Sequence, residues 1–140
     1  PSMEEQREEA VLRVEDAMRP PGGLVISGGD TVAEALEKTA SLSQESFLIT
    51  YGKIHWGTIT RRALEEWARQ EKGSQKLSGL ETAERLPWVY RDQSLDVAMR
   101  LIGDHPLLPV LNRAEPGRVE GVISLEDILH AYRKGFSRQP

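Results

Sequence analysis

One order of turn, capping and strand signals occurs twice in this chain, and that duplication limits the fold more than any other feature. Asp30-Thr31-Val32-Ala33-Glu34-Ala35-Leu36 aligns with Gln93-Ser94-Leu95-Asp96-Val97-Ala98-Met99 at a shift of 63 residues, and the apolar positions match. Gly57-Thr58-Ile59-Thr60 aligns with Gly121-Val122-Ile123-Ser124 at a shift of 64, each string ending on a hydroxyl residue that opens a helix. A period of this size marks tandem structural units. A unit of roughly 60 residues buries its own sheet faces poorly, so the two must pack together. Related copies that pack face to face do so about an approximate two-fold axis and leave clefts between them where ligands can sit.

The local signals give each unit the same parts. Ala10, Val11, Val14, Ala17 and Met18 fall at helical spacing, which predicts a leading amphipathic helix over Glu4 to Met18, stopped at Pro20-Pro21-Gly22-Gly23. Leu24-Val25-Ile26 reads as a strand, and Thr31 with Glu34 forms a capping box that opens a helix. Phe47-Leu48-Ile49-Thr50 and Lys53 to Ile59 read as a hairpin turned at Tyr51-Gly52, followed by a helix over Thr60 to Arg69. A polar linker spans 70–79, and the second unit repeats the order with a longer hairpin loop at Asn112 to Gly117. The expected fold is α+β: two βαββα-like repeats with short sheets packed about a pseudo-two-fold axis. The expected boundaries are a tail and leading helix at 1–11, repeats at 12–69 and 80–134 around the linker, and a C-terminal tail at 135–140.

Charge and composition exclude several function classes. Eighteen Lys and Arg against 22 Asp and Glu leave a net charge of -4, which argues against a dedicated nucleic-acid binder. The absence of cysteine removes disulfides, thiolate metal sites and thiol nucleophiles, and suits a cytoplasmic location. The longest apolar runs, Leu24 to Ile26 and Leu107 to Leu111, are far shorter than the roughly 20 residues of a membrane helix. The opening, PSMEEQREEA, is acidic and lacks an initiating Met, so the chain reads as a fragment without a secretory signal. His55, His105 and His130 have no metal-ligand spacing, and His105 reads as a turn residue. Nucleotide-loop and nucleophile-elbow motifs are absent. Neither catalysis nor a metal site is expected.

Val14-Glu15-Asp16-Ala17-Met18, Leu108-Pro109-Val110-Leu111 and Gly121-Val122-Ile123-Ser124-Leu125-Glu126-Asp127-Ile128-Leu129, in this order and duplicated, resemble tandem cystathionine-β-synthase (CBS) domains, the paired unit also called a Bateman module. The resemblance covers Leu12 to Arg133. It implies a regulatory module that binds an adenine nucleotide (AMP, ADP or ATP) or related adenosyl ligand between the repeats and controls an attached protein. It also implies a homodimer through helix faces. Leu125 to Arg133 resembles the cytoplasmic tails of chloride channels and exchangers, which points to a channel or transporter as the attached protein.

Gly121 to Asp127 satisfies the family's nucleotide motif at each position. A hydroxyl at a helix start can hold phosphate and a carboxylate one turn on can accept from both ribose hydroxyls, so Ser124 and Asp127 take these roles. The same Ser-x-x-Asp pair also serves as a plain helix cap with no ligand. In the first repeat Thr60 keeps the hydroxyl but Ala63 replaces the acid, so the cleft served by Asp127 is expected to be the stronger or sole nucleotide site. Arg61 is a candidate phosphate partner, although it and Arg62 can instead lie exposed beside Glu65 and Glu66. Trp88, Val89, Leu108 and Pro109, with Leu24 to Ile26, are candidates for the apolar slot of the base, Trp88 by stacking or as packing between repeats. The alternative to ligand sensing is a ligand-free dimerisation or docking module.

Overall fold

The computed structural model describes residues 11–52, 55–80 and 85–137. In the first repeat β1 (Val25–Ser27) is followed by α1 (Val32–Thr39), β2 (Ser46–Tyr51), β3 (His55–Thr60) and α2 (Arg61–Arg69). In the second, β4 (Val89–Tyr90), α3 (Leu95–Ile102), β5 (Leu108–Asn112), β6 (Glu115–Ile123) and α4 (Leu125–Ser137) follow the same order. Each repeat makes a three-stranded sheet with its middle strand paired parallel to the first and antiparallel to the third. The duplicated α+β fold expected from the sequence is therefore present.

Local chemistry accounts for the helix starts. Thr31 Oγ1 accepts from Glu34 N–H at 3.1 Å and Glu34 Oε1 accepts from Thr31 N–H at 3.2 Å, the reciprocal bonds of a capping box. Thr60 is the N-cap of α2, its hydroxyl accepting from Ala63 N–H at 3.1 Å. Ser94 opens α3 by accepting from Asp96 N–H at 3.3 Å, without the reciprocal acid because Val97 stands where the first repeat has Glu34.

Two apolar clusters form the core, and one of them joins the repeats. Phe47, Leu48, Ile49, Ile59 and Leu64 of the first repeat pack in one cluster with Leu86, Leu107, Leu111 and Val122. The other gathers Val89, Leu95, Ala98, Leu108, Val110, Ile123 and Ile128 of the second repeat around Val14.

Two expectations need correction. Within the described residues the leading helix is a single 3-10 turn, Val14–Asp16, and 4–10 lie outside them. Its amides find distant acceptors: Val14 N–H donates to Gln93 O and Glu15 N–H to Arg91 O, both at 2.9 Å. Residues 12–19 thus belong by contact to the second repeat, and Arg19 bonds both ways with Val122 on the free edge of β6, at 2.9 and 3.0 Å. The second hairpin is not a long loop either. Its turn is Arg113-Ala114, and the extra residues lengthen β6, which shifts register against β5. The linker at 70–79 is tied down. It carries the 3-10 turn Leu77–Gly79, buries Leu77 fully, and sends Leu77 N–H to Asp30 O at 2.9 Å.

Candidate functional site

A cleft of about 490 Å³ opens between the repeats, lined by Leu24, Gln44, Glu45 and Ser46 of the first, Pro106, Leu107, Ser124, Glu126 and Asp127 of the second, and Arg19 of the N-terminal segment. Its volume falls within the roughly 300–1,000 Å³ of small-molecule sites. Gln44 and Glu45 immediately precede β2, and Pro106 and Leu107 immediately precede the equivalent strand β5, so both repeats contribute corresponding residues to its walls.

The start of α4 supplies the polar end of the cleft. Ser124 N–H and Ser124 Oγ both donate to Asp127 Oδ2 at 2.9 Å, and Ser124 Oγ accepts from Asp127 N–H at 3.2 Å. Arg19 Nε donates to the same Oδ2 at 3.0 Å, across 108 residues of sequence. All three bonds to the Asp127 carboxylate land on one oxygen.

Gly121 makes this arrangement sterically possible. A Cβ there would lie 2.8 Å from Met18 Sδ and 2.9 Å from Arg19 O, so a side chain would push the N-terminal segment off β6. The glycine that begins the Gly121-to-Asp127 motif thereby sets the position of Arg19.

Arg61 points neither into the cleft nor to Glu65 or Glu66. Its Nη2 donates to Leu42 O at 2.7 Å and Gln44 O at 2.9 Å, and its guanidinium lies 5.1 Å from the Phe47 ring centroid. Through these bonds it fixes the loop that carries Gln44 and Glu45 into the wall. Glu66 pairs instead with Arg69 at 2.6 Å. Thr60 is exposed at the start of α2. Val89, Leu108 and Pro109 are buried and are not among the lining residues; Leu108 follows Leu107, which is. Trp88 is 43% exposed and leans against buried Trp56, ring centroids 5.5 Å apart.

Gln44 adds a group that residue spacing does not signal. Its side-chain oxygen is buried without a hydrogen-bond donor among the described residues, at a cost of about 1–3 kcal/mol. Arg19 was equally silent in the sequence, since its partners Val122 and Asp127 are more than a hundred residues away. No group of three or more metal-ligating side chains is placed together among the described residues, and none of their helices is long and apolar enough to cross a membrane.

Two repeats, each a small sheet with helices at its side and a cleft between them, give the chain the fold of solved CBS-domain pairs. Residues 82–134, which span the second repeat, match the family model described as a CBS domain. Solved structures of similar fold span nearly the whole chain. A CBS domain-containing protein of unknown function from Bacillus anthracis superposes with a TM-score of 0.70 at 16% identity, covering 91% of this chain and 98% of that one. CbpB in complex with c-di-AMP gives a TM-score of 0.69 at 15% identity, covering 96% and 93%. The CBS-pair protein CBSX2, known from Arabidopsis thaliana, gives 0.65 at 20% identity in its complex with AMP, covering 90% and 98%. A search of curated proteins finds no match by sequence.

Proposed function

We propose that this chain is a regulatory module that takes an adenine nucleotide or related adenosyl ligand in the inter-repeat cleft and transmits its occupancy to an attached protein. The observation that carries this reading is the Asp127 carboxylate. It stands at the cleft end of α4 with its three protein bonds on one oxygen, which leaves the other for the ribose hydroxyls. Ser124 sits beside it at the helix start, where the dipole favours a phosphate. Leu24 and Leu107 provide apolar wall for the base. The AMP and c-di-AMP complexes of similarly folded proteins support the same ligand class. Arg61 acts by holding the cleft loop, Trp88 flanks the repeat junction, and Val89, Leu108 and Pro109 support the wall from the core.

A ligand bridging the repeats biases their relative arrangement by its difference in affinity for two states, and that difference is what an attached protein reads. The resemblance of Leu125 to Arg133 to channel and exchanger tails favours a membrane transport protein as that partner. The apolar, exposed Met99 and Leu101 on α3 and Leu125 and Leu129 on α4 favour a homodimer.

The same Ser124 and Asp127 bonds also favour the second reading, a ligand-free packing module in which they are only a cap. Thermal unfolding with adenosine, AMP, ADP, ATP and S-adenosylmethionine separates the two, because a ligand that binds the folded state raises its apparent stability. A saturable shift lost in Asp127→Ala is the expected result. No shift at millimolar concentration with any of the five overturns ligand sensing.

A further inference from the structure

Three of the cleft's described lining residues are carboxylates, Glu45, Glu126 and Asp127, and one, Arg19, is cationic. That guanidinium is already bound to Asp127, and the nearby guanidinium of Arg61 is committed to two backbone carbonyls. The start of α4, the natural seat for a phosphate, carries Glu126 and Asp127 in its first turn, and Ser124 and Asp127 cap each other there. The cleft therefore offers acceptors and negative charge where a polyphosphate needs donors and positive charge.

From this we infer that the site selects adenosyl ligands of low negative charge, with at most one phosphate or with a cationic substituent, and rejects polyphosphates. The inference rests on the adenosyl reading above and assigns its ligand class. Arg19 is the one lining group able to turn from Asp127 to a single phosphate, while further phosphates meet Glu45 and Glu126. Each added charge within about 8 Å of those carboxylates weakens binding on the order of threefold.

Isothermal titration with adenosine, AMP, ATP and S-adenosylmethionine, without magnesium and at constant ionic strength, tests it. Adenosine and S-adenosylmethionine are expected to bind at least as tightly as AMP, and ATP about tenfold more weakly than AMP. In a Glu45→Gln, Glu126→Gln double variant, shown by thermal unfolding to be folded, the AMP-to-ATP ratio should narrow at least threefold. Both replaced side chains are exposed, so neither supports the core. ATP binding as tightly as AMP overturns the inference while leaving the adenosyl reading intact. A ratio unchanged in the double variant also overturns it, since shape rather than charge then excludes the polyphosphate. If none of the four ligands binds, the adenosyl reading itself falls and the inference with it.

Discussion

The two repeats begin their final helices with the same device and a different result. In the first, Thr60 caps α2 through a single bond from Ala63 N–H at 3.1 Å; in the second, Ser124 caps α4 through the equivalent bond from Asp127 N–H at 3.2 Å. The first repeat therefore serves as an internal control: this helix start is capped by a hydroxyl alone. The Asp127 carboxylate is additional to that shared bond, and it is the group that reaches Arg19 and the cleft. Two sites of equal strength would call for an acid in both repeats, and Ala63 leaves one without it.

The sharpest way to break this comparison is to remove the acid. Asp127→Ala should reduce affinity for the best adenosyl ligand by tenfold or more by titration calorimetry, since a charged hydrogen-bond acceptor contributes about 1.5–3 kcal/mol. Calorimetry on the unmodified chain should return one site per chain; two equal sites would dissolve the distinction between the repeats. Gly121→Ala should come next in effect. It forces Met18 and Arg19 away from β6 and should lower stability by about 1–3 kcal/mol in urea unfolding, with weakened ligand binding because Arg19 moves.

Arg61→Met tests whether the first repeat contributes through its loop rather than through a charge in the cleft. Losing the two bonds to Leu42 O and Gln44 O should cost about 1–2 kcal/mol of stability and weaken the ligand severalfold, with little change in the salt dependence of binding. A loss of affinity that vanishes at high salt would mean that Arg61 meets the ligand's charge directly.

The smallest effect lies on α4. Burial, followed by the hydrogen bond to Asp96, pushes the Tyr132 phenol from 10.0 up to about 12. The folded state holds this proton more tightly than the unfolded one. The stability it contributes is thus complete below pH 10 and is lost as pH rises toward 12. Tyr132→Phe should flatten the fall in unfolding midpoint across that window.

Short-range chemistry made much of the molecule legible. Thr31, Thr60 and Ser94 act as caps as their sequences predict, because an N-cap depends on residues two or three positions away. Ser124 and Asp127 were equally readable, being one turn apart. The leading segment was misjudged because Val14, Ala17 and Met18 have helical spacing, yet they pack into the second repeat, and the amides of Val14, Glu15 and Arg19 bond to Gln93, Arg91 and Val122 while only those of Asp16, Ala17 and Met18 close a turn. Tertiary acceptors outweighed the local period. Arg19 and Gln44 depend on contacts between distant segments, which no local pattern encodes. The role of Arg61 required knowing that the loop at Leu42 to Gln44 folds back over α2.

The exchange of edges also separates the two halves in time. The free side of the first sheet is met at Trp56 O by Leu86 N–H, a partner that follows it by 30 residues. The free side of the second is met by Arg19, which precedes Val122 by 103 residues. During synthesis the first repeat can close soon after its own helices emerge. Arg19 must wait, unpaired, until β6 and α4 are made, and joining the ends of so long a loop is slow. The cleft, which needs both Arg19 and Asp127, is therefore among the last parts of the protein to form.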